Sequence, residues 1–137
     1  RVVKLSGDRT VLDDCYNANP QSVTAALEIL AKTECDRKIA VLGDMGELGD
    51  LTAQAHYNMG ALAAMLGIDM VFAVGTKAAK IADGAADSGG ITLHFATKEE
   101  ALPEIREQFG ERTAMLIKAS HAMHFGWLVE QLCSTND

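Results

Sequence analysis

Short apolar segments without hydrophobic alternation recur along this chain and constrain its fold more than any other feature. They lie at residues 10–12, 38–43, 70–75, 91–95 and 114–118. Strands of a parallel sheet have this pattern, because helices cover both faces of such a sheet. Amphipathic segments typical of helices separate them, at residues 23–32, 53–66, 77–86, 99–109 and 123–133.

The alternating order predicts an α/β fold, namely a Rossmann-like three-layer αβα sandwich. We expect a mostly parallel sheet of about six strands with about five helices, and residues 2–5 form an additional edge strand in this interpretation. The chain has 137 residues and no internal linker or repeat, so one domain is expected. Thr97, three residues before Glu100, and Thr76 are candidate helix N-caps.

Composition excludes several classes of function. The net charge of −7, with no basic run, argues against binding to nucleic acid or to an anionic membrane. No apolar segment approaches the roughly 18–20 residues that a membrane helix needs. The three cysteines show no metal or disulfide spacing, so a reducing cytoplasm is the simplest setting. Because the chain begins at Arg1 without a methionine, we expect it to be one domain of a longer protein.

Residues 13–20, here called the acidic turn, follow the first predicted parallel strand and precede a helix. Asp13, Asp14, Asn17 and Asn19 lie within seven residues of one another. One helix cap needs only one side-chain oxygen, so this turn carries more polar groups than capping requires. A carboxylate in this position could accept the ribose hydroxyls of a nucleotide. The turn is therefore the first candidate for a binding site.

Other polar residues follow the remaining strands, and the carboxyl ends of parallel strands meet at one edge of the sheet. Asp44 and Glu47 lie in the sequence Gly-Asp-Met-Gly-Glu-Leu-Gly at residues 43–49, here called the glycine loop. This loop matches no phosphate-binding pattern, and a plain connection is as good an interpretation as a ligand contact. Lys118, Ser120 and His121 follow the last strand.

The histidines predict no metal site. His121 and His124 have HxxH spacing, but no carboxylate or thiol close by in the sequence completes a ligand set. His56 lies within a predicted helix, where a hydrogen-bond partner in the preceding loop is the ordinary explanation. Structural roles are therefore favoured for the histidines.

These motifs resemble the C-terminal domain of the Mur ligases over essentially the whole chain. Residues 13–20 read D-D-C-Y-N-A-N-P where that family usually has D-D-S-Y-N-A-N-P, and the glycine loop follows with His56 downstream. The combination is most similar to the members that add D-alanyl-D-alanine to UDP-N-acetylmuramoyl-tripeptide.

The resemblance implies an ATP-dependent amide ligase of peptidoglycan precursor synthesis, acting through an acyl phosphate in the bacterial cytoplasm. This chain would be the third domain of a monomeric enzyme. An N-terminal substrate domain and a central ATPase domain, which would hold most of the Mg²⁺ contacts, would lie outside residues 1–137. The chain alone is then expected to be inactive, with no catalytic residue of its own.

The resemblance also assigns residues to two sides of a site. Asp14 would meet the ATP ribose, with Asp13 as the alternative, and Asn17 and Asn19 would shape that contact. The side of the incoming dipeptide would comprise Asp44, Met45, Glu47, His56, Lys118, Ser120 and His121. Two departures stand out: Ala119 replaces the usual glycine and His121 the usual arginine, so an anion contact there would be lost or pH-dependent. Arg1 has no glycine before it and differs in this from the Gly-Arg pair of the family.

A second interpretation uses the sheet pattern alone. A flavodoxin-like or receiver-like module that binds a small molecule or nucleotide would have the same alternation of strands and helices. Asp13, Asp14 and Lys118 match a phosphorylation receiver only in part, because Asp44 is followed by Met-Gly-Glu and not by a clear phosphoacceptor turn.

Overall fold

The computed structural model describes residues 1–134. Its six strands are β1 (Val2–Leu5), β2 (Arg9–Asp14), β3 (Arg37–Gly43), β4 (Met70–Val74), β5 (Thr92–Phe95) and β6 (Thr113–Lys118). Its five α-helices are α1 (Pro20–Lys32), α2 (Thr52–Met65), α3 (Ala79–Asp87), α4 (Lys98–Gln108) and α5 (Gly126–Ser134). Three short 3-10 helices lie at Ser6–Asp8, Gly49–Leu51 and His121–Met123. The predicted fold class and the predicted numbers of strands and helices are confirmed.

The strands form one sheet in the order β1-β2-β6-β3-β4-β5. Strand β1 pairs antiparallel with β2 at the edge, and all other neighbours are parallel. The last strand, β6, is inserted between β2 and β3, so Lys118 lies opposite both Asp14 and Leu42. The order brings the ends of β2, β6 and β3 next to one another.

Helices cover both faces of the sheet, and two hydrophobic clusters fill the layers. One cluster packs α1, α2 and α3 against the sheet through residues such as Leu27, Leu30 and Ile81. The other packs α4 and α5 through Ile105, Phe125 and Leu128. The helix after β6 therefore lies on the opposite face from the helices after β2 and β3. Such a reversal opens a crevice at the carboxyl ends of the strands, where open α/β sheets bind their ligands.

Local sequence explains how two of the helices begin. The Asn19 side chain accepts a hydrogen bond from the Ser22 amide at 2.9 Å, and Pro20 occupies the first helical position of α1. Thr97 caps α4 by accepting a hydrogen bond from the Glu100 amide at 3.2 Å, as predicted.

Two other helix starts differ from the prediction. Helix α3 begins at Ala79 and not after Thr76, and its N-cap residue Ala78 offers no side-chain cap. Helix α5 begins at Gly126, because residues His121–Met123 form a 3-10 turn that ends at His124 in the left-handed region with φ 53°.

Helices α2 and α3 approach closely through glycine. A Cβ atom on Gly60 would lie 1.8 Å from the Ile81 carbonyl oxygen, and one on Gly84 would lie 1.9 Å from the Tyr57 carbonyl oxygen. Within residues 1–134 no helix is long and apolar enough to cross a membrane.

Candidate functional site

A buried lysine joins the end of β6 to the acidic turn after β2. The Lys118 Nζ atom donates to the Asp14 carboxylate and to the Asn17 carbonyl, each at 2.9 Å. The Lys118 side chain is 2% exposed and the Asp14 side chain 50% exposed. The ammonium group is therefore buried while the carboxylate is half exposed, which leaves Asp14 accessible to a ligand.

Aromatic rings stand beside this pair. Tyr16, between Asp14 and Asn17, is 82% exposed. Its ring centroid lies 5.7 Å from that of His121, and His121 in turn lies 5.9 Å from His124. The acidic turn and the turn after β6 thus touch through side chains on the outer surface as well as through Lys118 inside.

The glycine loop follows β3 at the same edge of the sheet. Its Asp44 carboxylate accepts a hydrogen bond from the Ala78 amide at 2.8 Å, which satisfies the N-terminus of α3 from a different loop. Gly75 faces this carboxylate, and a Cβ atom there would lie 2.4 Å from Asp44 Oδ1. Glu47 is exposed and has a φ of 60°, a left-handed conformation that is unfavourable for a residue with a side chain.

His56 supports the glycine loop from below. The imidazole is fully buried; its Nε2 accepts a hydrogen bond from the Met45 amide at 2.9 Å, and its Nδ1 lies 2.6 Å from the Thr52 carbonyl oxygen. These partners require a neutral ring with the proton on Nδ1. The Met45 side chain is 1% exposed and belongs to the core. Both residues therefore lie beneath the loop surface and hold its shape, and the predicted loop partner of His56 is confirmed.

A backbone contact connects the glycine loop with the turn after β6. The Ser120 amide donates to the Asp44 carbonyl at 3.0 Å. Ala119 is buried, and a Cβ atom on Gly43 would lie 2.6 Å from the Ala119 Cβ, so the two turns approach closely only with glycine at position 43. The acidic turn, the glycine loop and the turn after β6 form one continuous edge.

Two predicted residues of the acidic turn have partners elsewhere. The Asp13 carboxylate pairs with the guanidinium of Arg1, the residue before β1, at 2.9 Å. The Asn19 side chain is committed to the cap of α1. Asp14 and Asn17 are the members of this set that contact Lys118.

A cleft of about 420 Å³ opens on the α5 side of this edge and was not predicted from the sequence. Its lining residues are Cys15, His121, His124, Gly126, Trp127 and Glu130. The Cys15 Sγ atom donates to the Ile117 carbonyl oxygen at 3.4 Å, and burial, together with the nearby Asp13 carboxylate, raises the pKa of this thiol well above its ordinary value, so the thiol stays protonated. The spacing of Gly126 and Glu130, four residues apart on α5, is the sequence signal that places both on one helix face.

A smaller groove of about 150 Å³ lies on the other side of β2, between β1 and α1. Arg1, Asp13 and Asp14 line its polar end. Val2 and Ile29 line it as well, and each is 61% exposed. Asp14 therefore stands between an apolar groove and the crevice at the ends of the strands.

An open, mostly parallel sheet with its polar turns gathered at the reversal of strand order defines a Rossmann-like ligand-binding domain. Comparison with known families identifies it further, because the family described as "Mur ligase, glutamate ligase domain" matches residues 1–121. The chain belongs to the Mur ligase family.

Individual relatives agree with this membership. The UDP-N-acetylmuramoyl-tripeptide–D-alanyl-D-alanine ligase of Bacillus subtilis is 34% identical over 134 residues, which cover 96% of this chain and 29% of the relative. The enzyme of the same name from Escherichia coli is 34% identical over 122 residues, covering 88% of this chain and 26% of the relative. The chain thus spans less than a third of the length of these relatives.

Solved structures have the same fold. A crystal structure of MurF from Acinetobacter baumannii superposes with a TM-score of 0.88 at 32% identity, covering 98% of this chain and 30% of that one. MurF ligase from Thermotoga maritima in complex with ADP superposes with a TM-score of 0.83 at 25% identity, again covering 98% of this chain and 30% of that one.

Proposed function

We propose that this chain is the C-terminal domain of an ATP-dependent ligase that joins D-alanyl-D-alanine to UDP-N-acetylmuramoyl-tripeptide in the bacterial cytoplasm. A substrate-binding domain and an ATPase domain would precede it in the parent enzyme. The relatives named above support the reaction through their names, and the ADP complex of one of them supports a nucleotide as ligand. The single observation that carries the proposal is the edge formed by the acidic turn, the glycine loop and the turn after β6.

The nucleotide side of this edge is assigned to Asp14. Its carboxylate is held by Lys118 on one side and is half exposed on the other, so it can accept hydrogen bonds from ribose hydroxyls. Asn17 borders the same position through its exposed side chain, and Asp13 and Asn19 support the turn from either end. These oxygen atoms suit the hydroxyl groups of a sugar better than a metal ion, since a magnesium site needs several oxygen ligands around one point. Mg²⁺ would therefore be held mainly by the ATPase domain.

The dipeptide side is assigned to the glycine loop and the turn after β6. Glu47, Ser120 and His121 offer side chains at the surface of this edge, whereas Asp44, Met45 and His56 fix the shape of the loop beneath them. The chemistry assigned to this domain is orientation of the incoming amine and exclusion of water from an acyl phosphate that would otherwise hydrolyse. When bound, ATP supplies the phosphoryl group that activates the tripeptide carboxylate.

The reaction is tested with the parent enzyme by following phosphate release with ATP, UDP-N-acetylmuramoyl-tripeptide and D-alanyl-D-alanine. We expect turnover only when all three are present, and no turnover by residues 1–137 alone. Product mass should show the pentapeptide. Absence of ligation by the parent enzyme, or turnover by the isolated chain, would contradict the proposal.

The nucleotide assignment is tested by Asp14→Asn, which keeps the size of the side chain and removes its charge. Loss of hydrogen bonds to a charged acceptor should raise the KM for ATP by roughly 10–100-fold. Asp36→Asn is the matched control, because Asp36 is also an exposed carboxylate in an ion pair, with Arg112 at 2.6 Å, but lies at the amino end of β3. An unchanged KM for ATP in Asp14→Asn would remove Asp14 from the nucleotide site.

A further inference from the structure

Lys118 has an environment that lysines rarely occupy. Its side chain is 2% exposed, and moving an ammonium group out of water is unfavourable unless charged and polar partners surround it. Two of its N–H groups have such partners, the Asp14 carboxylate and the Asn17 carbonyl. The fold therefore keeps a charge inside the protein at the edge where a ligand would bind.

The two bonds hold both ends of one short loop. Asp14 is the last residue of β2 and Asn17 lies three residues later, with the exposed Tyr16 between them. A single ammonium thus fixes the direction of the Asp14 side chain and the path of the backbone that follows it. Because Lys118 belongs to β6, which pairs with β2 in register, its position is set by the sheet and not by the loop.

We propose that Lys118 is the positioning residue of the nucleotide contact, acting through Asp14, and that it is not part of the dipeptide side. This inference rests on the proposed function of Asp14. The glycine loop receives its contact from the Ser120 amide and not from Lys118. Two neighbouring residues therefore have separate roles: Lys118, at the end of β6, orients the acidic turn, and Ser120, in the turn after β6, orients the glycine loop.

Steady-state kinetics of the parent enzyme test this assignment, with ATP and D-alanyl-D-alanine varied separately. The substitution Lys118→Met keeps a side chain of similar length and removes the ammonium group, so the Asp14 side chain is free to rotate. We expect the KM for ATP to rise about 10-fold and the KM for the dipeptide to stay within about twofold, since misplacement of a binding group weakens only the contact it serves. A general loss of structure would instead raise the KM for ATP and the KM for the dipeptide together, or would lower kcat alone.

A matched control comes from Lys38, a partly buried lysine whose ammonium donates to the Ala31 carbonyl. It lies near the amino end of β3, away from the candidate site. Lys38→Met should leave both KM values unchanged. The double variant Asp14→Asn with Lys118→Met should have the same KM for ATP as Asp14→Asn alone within about threefold, because Lys118 acts only through Asp14.

Distinct results would overturn the two proposals. If the parent enzyme ligates the dipeptide and Asp14→Asn raises the KM for ATP while Lys118→Met does not, Lys118 is not the positioning residue, although the proposed function stands. Equal increases in both KM values, or additive effects in the double variant, also overturn it. Should Lys118→Met fail to fold, Lys118→Gln tests the same point, and an unchanged KM for ATP in that variant counts against the assignment. If the wild-type enzyme shows no ATP-dependent ligation, the proposed function itself fails.

Discussion

His56 and Met45 form a buried hydrogen bond that fixes the glycine loop: the Met45 amide donates to the His56 Nε2 atom over 2.9 Å. His56 comes from the second turn of α2, and Met45 lies two residues after the end of β3. The loop therefore has a shape set from inside the protein, and its surface residues are presented on a rigid support.

His56→Ala should destabilise the domain by about 2–4 kcal/mol. The substitution leaves the Met45 amide without its acceptor and opens a cavity at a fully buried position. Urea unfolding followed by circular dichroism measures the change. His121→Ala is the control, because His121 is exposed and its loss should change the free energy of unfolding by no more than about 0.5 kcal/mol. Equal effects of the two substitutions would contradict the structural role of His56.

Replacing the two partners of the Asp14–Lys118 ion pair one at a time should reduce the stability of the domain by unequal amounts. Asp14→Ala leaves the buried ammonium with only the Asn17 carbonyl, so we expect a loss of about 1–3 kcal/mol of stability. Lys118→Met removes the buried charge, and the half-exposed Asp14 carboxylate can turn to water, so its cost should be smaller. Denaturant midpoints of the two variants decide the order. A larger loss in Lys118→Met would mean that the ion pair itself stabilises the fold.

The strands can be predicted from the sequence because buried parallel strands are continuous apolar segments. The shared edge of Asp14, Asp44 and Lys118 followed from parallel topology alone. The partner of Lys118 could not be predicted, since it depends on the insertion of β6 between β2 and β3, and sequence order contains no record of this non-local step. The family resemblance assigns Lys118 to the dipeptide side, and the structure shows its ammonium bonded to the Asp14 carboxylate and the Asn17 carbonyl.

Helix starts follow the same division between local and non-local causes. Asn19 and Thr97 cap the helices that they precede, and both signals lie within four residues of sequence. The start of α3 depends on Asp44, which is 34 residues away from Ala78. A cap supplied by another loop has no local signature, so the local sequence predicts Thr76 as the cap, and this prediction is wrong.

Asp44→Ala should therefore destabilise the N-terminus of α3 although Asp44 lies in a different loop. Loss of the cap and of the favourable charge at the helix start is worth about 1–2 kcal/mol. Asp44→Asn retains an acceptor for the Ala78 amide and should cost less than about 1 kcal/mol. Hydrogen exchange of the α3 amides measures the effect, with exposed Asp50→Ala as the control. Unchanged protection of α3 in Asp44→Ala would show that the contact has no role in capping.

The Cys15 thiol should react slowly although it lines an open cleft. Burial, and after it the nearby Asp13 carboxylate, raise the pKa of the thiol, and the thiolate is the reactive form. In a Cys35→Ser, Cys133→Ser background at pH 8.5, alkylation should be at least about 10-fold slower than that of N-acetylcysteine. Asp13→Asn should speed the reaction, and Asp36→Asn should not.

The raised pKa of the Cys15 thiol also makes the stability of the domain fall at alkaline pH. The folded state keeps Cys15 protonated, while the unfolded state ionises above the ordinary thiol pKa of about 9. The contribution of Cys15 is therefore complete below that pH and is lost as the pH rises above it, because the unfolded state then releases a proton that the folded state retains. Unfolding free energies between pH 7 and 10.5, compared with those of Cys15→Ala, should fall more steeply for the protein that contains the thiol. Parallel curves, together with rapid alkylation of Cys15, would place an exposed thiolate in the cleft and would make Cys15 a reactive group of the site.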